Sequence, residues 1–376
     1  MFATENRYLR PLPAVIIGLI AAVVLLFIGN LIASARSEDA FGLALQDTFG
    51  AGGWVTWLIV GAVLVYIIYI WAAEKPIWKV GTREVVYMAL GAALYGVLSW
   101  IFNTIPVPSV SLVSLRPTIV IPIFFGFAFG PVVGFFTGFV GNILGDALTG
   151  WGVFPVWDVG NGLVGLVAGL VWVFKDKSRS VNTLVWIVAV LLLIATALPI
   201  ISPNIVDPFS GEPANFGDWW WVPLVGLILL LVTNFAPRLW PWLMGLLVIG
   251  IVVQAIISLV SDGFSGGVVV LILWATLMAM LAFYIFRRRE AIAETLSDED
   301  TKAIIVWGTL GIIIGMAFAA FADIFINGYT FFVAFVGEFV PAAGPNTLFA
   351  ILLAPLLYGA WKQAQAQSGR SVTAEA

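Results

Sequence analysis

Apolar runs long enough to cross a bilayer recur along this chain, separated by short polar or Gly/Pro-rich stretches. They predict helical spans at 12–33, 54–73, 84–103, 117–129, 131–149, 158–174, 183–201, 221–236, 240–260, 267–286, 303–326 and 345–361. The fourth run is about half the ~20 residues a perpendicular span needs, and Pro122 sits inside it. It reads as a short helix running into the next span through the Gly130-Pro131 turn.

Basic residues fall on one side of this pattern. With the N-terminus cytoplasmic, the inner segments hold Arg7, Arg10, Lys75, Lys79, Arg83, Lys175, Lys177, Arg179, Arg238, Arg287, Arg288, Arg289, Lys302, Lys362 and Arg370. Only Arg36 and Arg116 fall outside, a bias that supports both the span count and an inside location for both termini. The outer stretch 202–220 is instead acidic and turn-rich, ending in Trp219-Trp220-Trp221, the pattern of an interfacial aromatic belt. Arg7 and Arg10 precede an apolar run followed by Ala33-Ser34-Ala35, which looks like a signal-peptidase site; the run is longer than a signal-peptide core, which favours an uncleaved first span over a cleaved one.

Composition then sets the class. The chain has 376 residues, 61% of them hydrophobic and only 10% charged, with a mean hydropathy of +1.06. That leaves no room for a sizeable water-soluble domain beside the spans, and the fold class is an all-α polytopic membrane protein of about twelve helices. Cysteine and histidine are absent, which excludes disulfides, thiol nucleophiles and imidazole bases, and no Gly-Lys dipeptide exists for a Walker A loop. No catalytic residue, metal site, cofactor or nucleic-acid partner is expected.

The candidate chemistry lies where polar groups interrupt the apolar pattern. A carboxylate at membrane depth costs about 2.5–3.5 kcal/mol on insertion scales, so such groups gather at cavities or partners. Asn142 and Asp146 are four apart and share a helix face; Asp158 and Asn161 begin the next helix. Asp323 ends the eleventh span, Asn346 starts the twelfth, and Arg116 precedes the short span, poised to pair with Asp146 or Asp158. All of these cluster toward the outer third of the membrane, and one-sided polarity suits a pocket open to the outside better than a pore. Trp100, Trp151, Phe154, Trp157 and Tyr329 lie nearby, as interfacial aromatics or as surfaces on which a flat heterocycle stacks. Gly130, Gly134 and Gly138, then Gly141 and Gly145, with Gly162, Gly165 and Gly169 in the next helix, form small-residue stripes for close helix packing. Ala89, Ala92, Ala93 and Gly96 make a second small-residue surface, for internal packing or for a partner membrane helix.

The helix opening Arg83-Glu84, the loop ending Leu115-Arg116-Pro117, the segment FGPVVGFFTGFVGNILGDALTGWG (129–152) and the helix from Trp157-Asp158 through Gly169 resemble the substrate-binding S components of energy-coupling factor (ECF) transporters, closest to the riboflavin-type branch. Residues 303–361, with Asp323, Glu338-Phe339-Val340-Pro341 and Pro345-Asn346, look like the last two helices of the same module. The resemblance implies a six-helix core that captures riboflavin or a similar vitamin-like micronutrient from outside under lid-like loops, in a prokaryotic cell membrane. It also implies a transmembrane T component and two cytosolic ATPase subunits as partners. Carried over, Ala89 and Ala93, flanked by Ala92, are the docking residues. Arg116, Asn142, Asp146, Trp151, Asp158, Asn161, Asp323 and Asn346 are the substrate-binding candidates.

The domain organisation that follows is an N-terminal helix pair (1–80), four core helices (81–180), an inserted four-helix segment with a charged linker (181–300), and two last core helices with a tail (301–376). The competing reading is a stand-alone secondary transporter using Asp146, Asp158 or Asp323 for ion coupling, though no internal repeat supports it. A membrane enzyme built on paired carboxylates is a more remote alternative.

Overall fold

In the computed structural model, which describes residues 11–37, 47–111, 113–262 and 266–367, the apolar runs fold as helices. Arg7, Arg10 and Arg370 lie outside the described residues. The order is α1 (Leu12–Arg36), α2 (Trp54–Trp71), α3 (Thr82–Phe102), α4 (Val120–Phe129), α5 (Pro131–Thr149), α6 (Pro155–Gly169) and α7 (Lys177–Ile201). A two-stranded hairpin follows, β1 (Asn204–Val206) with β2 (Pro213–Asn215). Then come α8 (Trp221–Phe235), α9 (Trp240–Asp262), α10 (Gly266–Arg287), α11 (Arg289–Ser297), α12 (Glu299–Ile326), α13 (Phe331–Ala334) and α14 (Val340–Gln367). Ten helices among the described residues are long and apolar enough to cross a membrane, and the short apolar helix Pro117–Phe129 stands beside them. This is an all-α multi-pass membrane protein.

The expected break after the short helix is present. Gly130 ends α4 with φ 104°, a conformation open to glycine, and Pro131 starts α5 at a position where its missing N–H costs nothing. The last helix departs from expectation. A single apolar helical stretch runs from Phe331 to Gln367, where the Pro- and Gly-rich segment before 345 suggested a loop. A turn of π-helix at Phe335–Phe339 joins α13 to α14, and Pro345 is accommodated inside α14. Buried surroundings let a helix absorb prolines that would break it in water.

The chain divides into two compact units, Met1–Leu227 with Ala303–Ala376, and Ile228–Lys302. In the smaller unit α9 pairs with α10, Trp240 donates its indole N–H to Thr233 Oγ1 at 2.8 Å, and Lys302 Nζ donates to the Asn234 carbonyl at 3.1 Å.

In the larger unit α5 is the central helix, and its two glycine stripes serve two different neighbours. Gly134 and Gly138 face α6, where an added Cβ would strike the backbone of Gly165 or Asn161. Gly141 and Gly145 face α3, against Tyr95 and Ser99. Gly160 of α6 and Gly315 of α12 bring those two backbones together in the same way. Such contacts supply the dispersion that holds helices together where lipid is as apolar as leucine.

The N-terminal pair packs on this core. Gly29 of α1 lies against Ile143 and Val153, and Gly61 of α2 against Val159. Trp57 sits edge-on to Phe318 and Phe321 and donates its N–H to the Ala51 carbonyl at 2.8 Å. The opposite faces of α1 and α3 expose Ile16, Ile20, Val86 and Leu90, as lipid-facing surfaces do.

Candidate functional site

At the end of the bundle where α3, α5 and α12 finish and α6 and α13 begin lies a cavity of about 620 Å³. That volume suits a single small-molecule ligand. The apolar helix walls give way here to two polar clusters.

Arg116 centres the first cluster, just before the turn that leads into α4. Its Nε donates to Asn103 Oδ1 at 3.0 Å, Nη1 donates to Asn142 Oδ1, and Nη2 meets Asp146 Oδ1 at 2.7 Å. Asn103 Nδ2 also donates to Asp146 (3.2 Å) and to Thr149 Oγ1 (2.9 Å). Asn142 Nδ2 bridges the two carboxylates, at 3.0 Å from Asp146 Oδ2 and 2.7 Å from Asp158 Oδ1. Arg116 thus pairs with Asp146 and not with Asp158. The i to i+4 spacing of Asn142 and Asp146 on α5 is what lets one guanidinium reach both.

The second cluster spans α3, α6, α12 and the π turn. Tyr95 donates its hydroxyl to Asn161 Oδ1 at 2.5 Å, and Asn161 Nδ2 donates to the Trp157 carbonyl at 2.8 Å. Trp157 Nε1 donates to Asp323 Oδ2 at 2.8 Å. Glu338 lies beside Asp323 and Ser111, wholly buried, and neither of its carboxyl oxygens makes a well-formed hydrogen bond. The π turn aims it inward, and such bulges recur where a helix serves a function.

Loops border the cavity and cover part of it. Pro106 pairs with Ser114, the Val110 N–H donates to the Gly337 carbonyl at 3.0 Å, and Ile205 of β1 presses on Gly337. The hairpin tip adds Asp207 and Phe209 to the lining. The backbone N–H groups of Ser210 and Phe209 hold the Asp207 carboxyl below its ordinary pKa, so it stays ionised. Tyr329 lines the wall from the turn between α12 and α13. Burial, with Glu338, Asp323 and Asp207 nearby, pushes its phenol above the ordinary value and keeps it a donor.

Of the candidates named from sequence, Arg116, Asn142, Asp146, Trp151, Asn161, Asp323 and Asn346 line this cavity together. Asp158 stands behind Asn142, wholly buried and outside the lining, with Oδ2 unpartnered. Asn103, Tyr95 and Glu338 complete the clusters and were not among those candidates. Glu338 carried a signal, a lone acid between apolar residues, but the prolines after it read as a loop. On α3, Ala89 and Ala93 are exposed, while Ala92 is 3% exposed and packs into the core against α5.

Residues 79–211 match the family model described as "ECF-type riboflavin transporter, S component". The matched segment, about a third of the chain, is similar to these S components. It contains the whole Arg116 cluster and Asn161, whereas Asp323, Glu338 and Asn346 lie beyond it. A UPF0397 protein of Vibrio atlanticus (strain LGP32) is 41% identical over 88 residues, 23% of this chain and 47% of that protein. UPF0397 proteins of Aliivibrio fischeri (strain MJ11) and Aliivibrio salmonicida (strain LFI1238) are 38% identical over 92 residues, 24% of this chain and 49% of each. The chain thus spans about half the length of the curated relatives it matches. No solved structure matches.

Proposed function

We propose that this chain is the membrane-embedded substrate-binding subunit of an ATP-driven ECF importer, capturing riboflavin or a similar flat, vitamin-like heterocycle from outside the cell. The observation that carries the reading is the partly covered cavity, whose Arg116 cluster lies inside the matched segment. Aromatic walls from Trp151, Phe154 and Trp157 suit a flat ring, and the polar clusters supply orienting hydrogen bonds. All four buried carboxylates among the described residues, Asp146, Asp158, Asp323 and Glu338, lie at this one end of the bundle. A relay of protons or ions across the membrane would spread such groups through its depth.

The charge bias between loops supports an orientation with both termini cytoplasmic in a prokaryotic cell membrane, which turns the cavity outward. Energy then comes from partners, a transmembrane T component and two cytosolic ATPase subunits, because this chain has no Walker A loop. The exposed pair Ala89 and Ala93, on the open face of α3, offers the T component a close approach.

The test is uptake by cells expressing this chain alone or with a T component and its ATPases. Accumulation of a labelled vitamin only with the full set, lost when the ATPases are inactivated, is the expected result. Uptake by the chain alone, driven by an ion gradient, would replace this reading with a secondary transporter.

A further inference from the structure

The charges around the cavity do not balance. Among the described residues lining it, Arg116 is the only cation, and it is engaged by Asp146 at 2.7 Å. Asp323 and Glu338 lie side by side at the other cluster with no Lys or Arg among the lining residues to face them, and Asp207 adds a third carboxylate from the hairpin tip. Asp323 accepts from the Trp157 indole, and Glu338, at 0% exposure, lies against Asp323 and Ser111; two carboxyls this close share a proton and together keep one negative charge. A buried carboxyl pair left with a net charge is costly, and a cationic group seated against it relieves that cost.

The aromatic residues extend the same logic. Trp157 and Tyr329 line the cavity together with Asp323 and Glu338, and Trp151 and Phe154 line it too. Aromatic faces attract cations, so rings and carboxylates favour the same charge.

We propose that the ligand is a flat heteroaromatic compound carrying one positive charge or a protonated amine, with that group seated against Asp323 and Glu338. The Arg116 cluster then acts as a hydrogen-bonding wall for the other end of the ring, since Arg116 is already met by Asp146. This rests on the binding-subunit reading and narrows it, disfavouring uncharged riboflavin and any anionic vitamin.

Three probes of similar shape and different charge test it: 3-(aminomethyl)pyridine, protonated at neutral pH (cation), nicotinamide (neutral) and nicotinate (anion). Each is titrated against the purified full-length chain in nanodiscs, read by quenching of tryptophan fluorescence, since Trp151 and Trp157 line the cavity. The cation should bind at least about ten-fold more tightly than the neutral probe, as charge-assisted hydrogen bonds do relative to neutral ones. Glu338→Gln should lower that ratio several-fold, because one of the two carboxyls facing the cation is gone. Asp323→Asn should act in the same direction and serves if Glu338→Gln does not fold. A wild-type ratio near one, a preference for the neutral or anionic probe, binding of none of the three, or a ratio untouched in both folded variants would overturn the assignment. Uptake that needs the T component and ATPases would still stand after such a failure, so the two readings fail separately.

Discussion

Arg116 commits all the groups it turns toward the cluster: Nε to Asn103, Nη1 to Asn142 and Nη2 to Asp146. Its side chain is 12% exposed and that of Asp146 4%, so water cannot replace a lost partner cheaply. Asp146→Asn keeps the shape but removes the charge, and breaking a buried pair in this way costs about 3–5 kcal/mol. Thermal unfolding of the purified variant should show a clear fall in melting temperature, with weaker ligand retention. A melting curve matching wild type would mean the pair is solvated and contributes little. At this scale the sequence was legible where a charge stood inside an apolar run, as Asp146, Asp158 and Asp323 do. It was not legible for Asn103 and Tyr95, ordinary residues until α5 and α6 are packed against them.

At the scale of the element, glycine spacing decides how closely α5 approaches its neighbours. A Cβ on Gly138 would collide with the Asn161 carbonyl, a backbone group that cannot swing aside. Overpacking costs about 1–3 kcal/mol where side chains can adjust, so Gly138→Val belongs at or above the top of that range. The expected outcome is little or no monodisperse protein by size-exclusion chromatography. Gly359 of α14 is the control, because nothing lies within 4 Å of its added Cβ. Gly359→Ala should raise stability by up to about 1 kcal/mol through helix propensity. If both variants behave alike, close packing is not what these glycines serve. The stripes were visible as four-residue spacings, but not that Gly134 and Gly138 face α6 while Gly141 and Gly145 face α3. A stripe shows that a helix approaches closely; the neighbour is set by the whole bundle.

For the whole molecule, the surface left uncovered bears on partnership. One face of α3 exposes Val85, Val86, Ala89, Leu90 and Ala93, opposite the face that Ala92 and Tyr95 bury against α5. Lipid or a partner helix can cover it, and only a partner would be sensitive to bulk. Ala89→Trp with Ala93→Trp should therefore abolish uptake in cells expressing the full set of subunits and leave ligand binding by the purified chain unchanged. Uptake at the wild-type rate would remove α3 from the docking surface. The N-terminal helices belong to the same body, since α1 packs on α5 and α2 on α6. Their sequence revealed two spans but not where they would sit, because a uniformly apolar helix has no marked inner face.

Hydropathy alone determined that this protein is helical and crosses a membrane many times, because a run of some twenty apolar residues has few other stable states. Spacing within one helix likewise determined that Asn142 lies above Asp146. Which polar groups meet across helices was decided only by tertiary structure. Trp157 and Asp323 share a hydrogen bond although 166 positions separate them. Glu338 joins Asp323 only because the last helix starts at Phe331, through a proline-rich segment that would not be helical in water. Local patterns report the cost of leaving lipid; the cavity depends on how the helices pack, which no single segment records.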